Sequence, residues 1–149
     1  MVSLNRPLQH EAGRSDTAPP IVLDTNVLVA GACRRESSAA YQVLMAVLES
    51  KVPVILTEGI IAEYEDVLLR PRVRRLTGLS PRQARDLMLE LISLSRRAQL
   101  RFSWRPNLRD ECDNKFVEAA ISAGAIIITY NARDFAGADS FTFTVTSGG

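Results

Sequence analysis

The stretch IVLDTNVLVAG, residues 21–31, places a single carboxylate directly after a short apolar run. Its first three residues, Ile21–Leu23, have the β-branched and aliphatic composition of a buried strand. Burial of the Asp24 carboxylate without a partner is unfavourable, so the side chain needs a metal ion, a cation or the amide groups of a helix end. Ligands of parallel α/β folds bind beside the carboxyl ends of the strands. The sequence therefore predicts a ligand site at Asp24.

The composition is that of an ordinary globular domain. The chain has 149 residues, of which 46% are hydrophobic and 23% charged, and its formal net charge of +1 does not by itself predict a polyanionic partner. Cys33 and Cys112 lack the spacing of a metal site, which favours a reduced, cytoplasmic setting. Because no apolar stretch is long enough to cross a bilayer, we expect no membrane partner. We expect residues 1–19 to form a flexible tail and residues 20–149 a single domain.

Segments with strand and helix patterns alternate along the rest of the chain. Apolar runs predict strands at residues 21–23, 52–56, 125–129 and 141–145, with a weaker strand at 100–102. Capping residues and helical periodicity predict four helices: from a cap at Ser37 or Ser38 to Leu48, from Thr57 to Leu69, from Ser80 to Arg96, and from Asp110 to Ala123. Asn131 is expected to cap a short helical turn. This alternation favours right-handed crossovers and a mostly parallel sheet.

Four acidic residues stand out by their positions. Asp24 follows the first strand, Glu63 lies in the helix after the second strand, Asp113 begins a helix, and Asp134 follows the strand at 125–129. Helical spacing places Asp113 on the same face as the apolar residues 116, 117 and 120. Glu63 and Glu65 flank the apolar stripe of their helix on opposite sides, so spacing alone does not choose between them.

Carboxylates gathered in one pocket repel each other unless a cation binds among them. Carboxylate and water oxygens suit Mg²⁺ or Mn²⁺, and the only histidine, His10, lies in the predicted tail. Such a site can activate water for attack on a phosphodiester. Any single acid is more often a solvated residue or a helix cap. Asp113 can be explained as a partner of the helix dipole, and Asn131 as a cap.

The segments around these acids resemble the motifs of the PIN domain, the nuclease fold of many VapC-like toxins of bacterial toxin–antitoxin pairs. LDTNVLV, residues 23–29, resembles its opening motif, and Glu63 in residues 57–68 falls where the family has its second acid. DNKFVEAA, residues 113–120, matches the third motif, and ITYNARDF, residues 128–135, resembles the closing one. The resemblance covers roughly residues 21–145.

The resemblance implies a three-layer α/β/α fold with a mostly parallel central sheet. It also implies an endoribonuclease that depends on one or two Mg²⁺ or Mn²⁺ ions, forms homodimers and has a cognate antitoxin. Asp24, Glu63, Asp113 and Asp134 would be the metal ligands and catalytic residues. Asn26, Thr129 and Asn131 would orient the ligands or the substrate.

Two positions depart from one subfamily that the chain resembles. Asn114 follows the third acid where that subfamily has a further acidic residue, and Asn131 stands where it often has Asp. Other members have Asn at that position with an Asp three residues later, as here with Asp134. These departures predict reduced metal affinity, and they leave the fourth ligand open.

Binding of RNA would require positive charge beside the acids, because phosphate contacts dominate the affinity for nucleic acids. The candidates are Arg72, Arg75, Arg105 and Arg133, although a solvated surface is the ordinary explanation of any one arginine. The first alternative function is a catalytically weak PIN-fold module that binds RNA or protein. The second is phosphotransfer with Asp24 as nucleophile, which Asn26 disfavours because haloacid-dehalogenase-like phosphatases usually have a second Asp there.

Overall fold

Short parallel strands alternate with helices in the computed structural model, which describes residues 18–98, 114–131 and 142–144. In chain order the elements of these ranges are β1 (Ile21–Leu23), α1 (Thr25–Ala32), α2 (Ala39–Leu48), β2 (Ile55–Leu56), α3 (Glu58–Leu68), α4 (Pro71–Thr77), α5 (Pro81–Leu94), β3 (Arg96–Arg97), α6 (Asn114–Ala123), β4 (Ile126–Thr129) and β5 (Thr142–Thr144). The fold class is α/β, as predicted.

Every strand pairing in the described ranges is parallel. β1 pairs with β4, β4 with β5 and β2 with β3, and a bridge between Ile21 and Val54 joins the two sets. The resulting strand order is β3-β2-β1-β4-β5. All residues of β1 and β4 are buried, as expected for strands covered by helices on both faces. The prediction of a mostly parallel sheet is confirmed.

The core forms where the apolar faces of the helices meet this sheet. α2 contributes Ala40, Leu44 and Val47, which are all buried. α1 approaches α2 closely at Gly31, where a Cβ atom would lie 2.9 Å from the Ala40 carbonyl oxygen and 3.0 Å from the Leu44 Cβ. A glycine is therefore needed at this crossing, which fixes the helix that begins at the end of β1.

The capping residues are where the sequence predicts them. Ser38, Thr57 and Ser80 each accept a hydrogen bond from a backbone N–H in the first turn of α2, α3 and α5. The helix predicted from Ser80 to about Arg96 is α5, and its predicted end is two residues too far, because α5 ends at Leu94. The chain then pairs with β2 through bonds from the Arg96 N–H to the Val54 carbonyl and from the Ala98 N–H to the Leu56 carbonyl. Strand pairing thus replaces the last helical turn.

Two helices were not predicted. α1 has no charged residue and therefore no amphipathic pattern. α4 has only seven residues, although Pro71 at its start and Gly78 in the left-handed conformation after its end are recognisable signals. The strand predicted at residues 52–56 is reduced to Ile55–Leu56, with the bridge at Val54 beside it.

Several predictions fall outside the described residues. They are the tail up to residue 17, the weak strand at 100–102, the helix start before Asn114 and the turn after Asn131. The tail at residues 1–19 and the single domain at residues 20–149 stay predictions. Among the helices that the structure describes, none is long and apolar enough to span a bilayer.

Candidate active site

Asp24 lies at the carboxyl end of β1, where the strand passes directly into α1. Its N–H donates to the Ile128 carbonyl at 3.0 Å, which continues the pairing with β4, and its own carbonyl accepts from the Val27 N–H at 3.0 Å. The carboxylate does not cap α1. Instead its Oδ2 accepts a hydrogen bond of 2.6 Å from the Thr129 hydroxyl. The residue is only 9% exposed.

Thr129 joins the two central strands at this edge of the sheet. It is the last residue of β4, and its side chain is fully buried. Its hydroxyl donates to Asp24 and accepts from the Asn131 N–H at 2.9 Å. Because a hydroxyl has a single proton, the backbone contact to Asn131 favours the rotamer in which that proton points at the carboxylate. The Thr129 hydroxyl therefore holds the Asp24 carboxylate in place, and its role in orienting a metal ligand stays a prediction.

Glu63 reaches the same edge from α3. Its Oε2 accepts from the Thr25 hydroxyl at 2.5 Å, and its Oε1 accepts from the Lys115 ammonium at 2.7 Å. Glu65, by contrast, is exposed and does not line the cleft that contains Asp24 and Glu63. The structure thus places Glu63 rather than Glu65 on the side of Asp24, a choice that helical spacing left open.

Tyr64 lies beneath the two carboxylates, although in the sequence it looks like one more apolar position of α3. Its side chain is fully buried, and its hydroxyl donates to the Leu23 carbonyl at 2.5 Å. The pKa of Tyr64 is raised well above its ordinary value of 10.0, first by burial and then by the negative charges of Asp24 and Glu63. The phenol therefore stays neutral and anchors the end of β1 to α3.

Tyr64→Phe is expected to lower the free energy of unfolding by about 1–3 kcal/mol, because the buried Leu23 carbonyl loses a donor. A group whose pKa is raised by folding contributes stability below its unfolded pKa and loses that contribution as the pH rises towards the folded value. The difference in the free energy of unfolding between wild type and Tyr64→Phe should therefore be constant up to about pH 9 and shrink above about pH 10. Urea unfolding across this range measures it.

The other tyrosines, lysines and arginines are present in both proteins, so the comparison isolates Tyr64. A stability difference that grew above pH 10 would contradict the assignment of the raised pKa.

An open cleft of about 830 Å³ lies in front of the two carboxylates. Its walls come from α1, α3, α4 and α6, and its polar lining residues are Asp24, Thr25, Asn26, Glu63, Asp66, Arg70, Arg72 and Lys115. The cleft therefore combines an acidic floor with a basic rim. Apolar side chains of α4 complete one wall, including Leu76, which is 62% exposed.

The predicted basic residues divide into three groups. Arg72 lines the cleft. Arg75 is exposed on the same helix but is not among the lining residues. Arg105 and Arg133 lie outside the described residues. Arg70 also lines the cleft, and it forms an ion pair of 2.6 Å with Asp66 that neutralises part of its charge.

Asp113 and Asp134, the other two predicted metal ligands, lie outside the described residues, and for Asn131 the described contact is a backbone one. Within the ranges that the structure covers, no three acidic, cysteine or histidine side chains are grouped to hold a metal. Mg²⁺, however, is commonly bound through one or two carboxylates with water as the remaining ligands. The pair of Asp24 and Glu63, both lining the cleft, fits such an ion.

These features define an α/β protein in which Asp24, at the end of β1, and Glu63, on α3, line one open cleft. A family model of the PIN domain matches residues 20–133, so the chain belongs to the PIN domain family. Its fold is similar to the crystal structure of VapBC2 from Rickettsia felis bound to a DNA fragment from their promoter. The TM-score is 0.62, with 13% sequence identity over 85% of this chain and 99% of the other chain. No curated protein matches the sequence.

Proposed function

We propose that the protein is a metal-dependent endoribonuclease and the toxin of a toxin–antitoxin pair. PIN domains are nucleases, and the observation that carries the proposal is the placement of Asp24 and Glu63. Both carboxylates line one cleft at the carboxyl ends of parallel strands, where this class of fold binds its ligands. Each carboxylate also accepts a hydrogen bond from a threonine hydroxyl.

Asp24 and Glu63 would hold Mg²⁺ or Mn²⁺ together with the further predicted ligands Asp113 and Asp134. The bound ion would supply Lewis-acid chemistry, since it stabilises charge on a phosphodiester and makes water easier to deprotonate. The hydroxyls of Thr129 and Thr25 orient the two carboxylates. Such support from neighbouring side chains commonly changes metal affinity or activity by about 10–100-fold.

The basic rim supports a nucleic acid as substrate. Arg72 and Lys115 line the same cleft as the two carboxylates, so a phosphate could contact a basic side chain while it lies beside the acids. The predicted contacts from Arg75, Arg105 and Arg133 would extend this rim. RNA as the substrate class follows from the family resemblance.

The proposed partner is an antitoxin protein. The similar structure from Rickettsia felis is of VapBC2, and the cleft of this chain has an apolar wall that includes Val29, Val73 and Leu76. Such a wall suits apolar side chains of a protein partner. The homodimer remains part of the proposal, and Leu89 on α5, 65% exposed, is a candidate contact residue between protomers. A cytoplasmic location is likewise proposed.

The decisive experiment incubates the purified chain with end-labelled single-stranded RNA and, separately, with DNA of the same sequence. RNA cleavage is expected with Mg²⁺ or Mn²⁺, loss of cleavage with EDTA, and recovery when Mn²⁺ is added in excess. DNA is expected to remain intact. Binding of RNA with neither cleavage nor Mn²⁺ binding would overturn the nuclease proposal and favour the binding module.

A further inference from the structure

The ion pair between Glu63 and Lys115 places a positively charged side chain within the proposed metal site. The Lys115 ammonium lies 2.7 Å from Glu63 Oε1, and the two side chains are 31% and 24% exposed. The Thr25 hydroxyl donates to the other oxygen, Oε2. Both oxygens of Glu63 therefore have donors, and a positive charge compensates the carboxylate before any metal ion binds.

This ion pair differs from the other two in the described part of the chain. The pair of Lys51 and Glu49 has side chains 70% and 48% exposed, and the pair of Arg70 and Asp66 has side chains 59% and 66% exposed. Exposed pairs of this kind contribute little. The Glu63–Lys115 pair is more strongly shielded from water, so the attraction between its two charges is stronger. Removal of the Lys115 charge would leave the negative charge of Glu63 partly buried without a cationic partner.

A divalent ion bound directly to Glu63 would meet the ammonium at short range. Mg²⁺ lies about 2.0–2.1 Å from its oxygen ligands, whereas Lys115 already lies 2.7 Å from Oε1. A metal ion and an ammonium group that share one carboxylate oxygen lie less than about 5 Å apart, and their positive charges repel each other strongly. Lysine has a flexible four-carbon stem, so its ammonium can move away while the helix stays in place.

We propose that Lys115 is a positioning residue that competes with the metal ion for Glu63. It holds the carboxylate in the metal-free protein, is displaced from Oε1 when a divalent ion binds, and then presents its ammonium to a phosphate in the cleft. This inference rests on the proposed metal-dependent function. It predicts that Lys115 stabilises the metal-free protein and weakens its affinity for metal.

The test is Mn²⁺ titration by calorimetry, without RNA, of wild type and Lys115→Met, which keeps most of the stem and removes the charge. We expect Lys115→Met to bind Mn²⁺ at least about fivefold more tightly. Its metal-free melting temperature should be lower than that of wild type, and Mn²⁺ should raise it by more. Lys51→Met is a matched control, since it breaks the other lysine ion pair and should not change Mn²⁺ affinity.

A double-mutant cycle separates competition at Glu63 from general repulsion between cations. In a Glu63→Gln background, Lys115→Met should change Mn²⁺ affinity by less than about twofold, because the contested carboxylate charge is gone. An equal gain in both backgrounds would overturn the proposal, and so would unchanged or weaker binding by Lys115→Met.

The same preparations distinguish failure of this inference from failure of the proposed function. Wild-type protein that cleaves RNA with Mn²⁺, combined with no gain in affinity for Lys115→Met, would refute the role of Lys115 alone. Absence of Mn²⁺ binding in both proteins would refute both proposals. Binding that appears only in Lys115→Met would support the competition.

Discussion

Asp24→Asn is expected to abolish metal-dependent RNA cleavage while the fold is kept. The amide has almost the same shape as the carboxylate, and its oxygen can still accept the hydrogen bond that Thr129 donates. It has no charge to hold a divalent ion. Loss of a residue that supports a metal ligand costs about 10–100-fold, so loss of Asp24, the proposed ligand itself, should cost more than about 100-fold. Initial rates with saturating Mn²⁺ measure this loss.

Thermal unfolding of the metal-free protein provides the second measurement for Asp24→Asn. Removal of one of two negative charges above the buried Tyr64 should leave the melting temperature unchanged or raise it, since like charges in one cleft repel. Asp66→Asn is the matched control. Asp66 lines the same cleft, but its side chain is 66% exposed and paired with Arg70. Cleavage by Asp66→Asn should stay within about twofold of wild type, as is usual for changes to exposed ion pairs.

Two results would contradict this account of Asp24. One is wild-type cleavage by Asp24→Asn, which would exclude the carboxylate from the metal site. The other is an equal loss in Asp66→Asn, which would indicate that the general negative charge of the cleft matters rather than the position of Asp24 at the end of β1.

The sequence predicts best those features of the candidate site that depend on residues close together in the chain. An isolated acid after an apolar strand is visible in a few residues, and the parallel topology then places Asp24 at the edge of the sheet where folds of this class bind ligands. Ser38, Thr57 and Ser80 are found for the same reason, since a cap and the helix it begins are neighbours in the chain.

The part that sequence reasoning leaves open depends on contacts between distant residues. Glu63 and Glu65 are equivalent on a helical projection, and Glu63 is selected by Thr25 and Lys115, which lie 38 and 52 residues away. Tyr64 was missed for a related reason. It looks like one more apolar position of the α3 stripe, and its role depends on the Leu23 carbonyl, 41 residues away.

α1, the helix that directly follows Asp24, is not predicted for a different reason. α1 has no regular polar face, because most of its residues are buried: Thr25, Val27, Leu28, Gly31 and Ala32. The periodicity that marks a surface helix is therefore weak. Tertiary packing, above all the close contact at Gly31, decides the conformation of this segment. A buried helix and a buried strand cannot be distinguished by periodicity alone.

Thr129→Val is expected to weaken Mn²⁺ binding and cleavage by about 10–100-fold, the usual cost of losing a side chain that orients a metal ligand. Valine has nearly the same shape as threonine but cannot donate to Asp24 Oδ2 or accept from the Asn131 N–H, the two bonds that the Thr129 hydroxyl makes. Since the residue is fully buried, water is poorly placed to replace the hydroxyl. The free energy of unfolding should fall by about 1–3 kcal/mol.

Thr129→Ser separates the orienting role of the hydroxyl from the packing of the side chain. Serine keeps both hydrogen bonds and loses one buried methyl group, so it should lower the free energy of unfolding by about 1 kcal/mol and leave Mn²⁺ affinity near that of wild type. Calorimetric titration of the two folded variants gives the comparison. Equal Mn²⁺ affinities in Thr129→Val and Thr129→Ser would mean that Asp24 is held in place without the hydroxyl. A loss confined to Thr129→Val would show that the bond between β4 and Asp24 prepares the carboxylate for its ion.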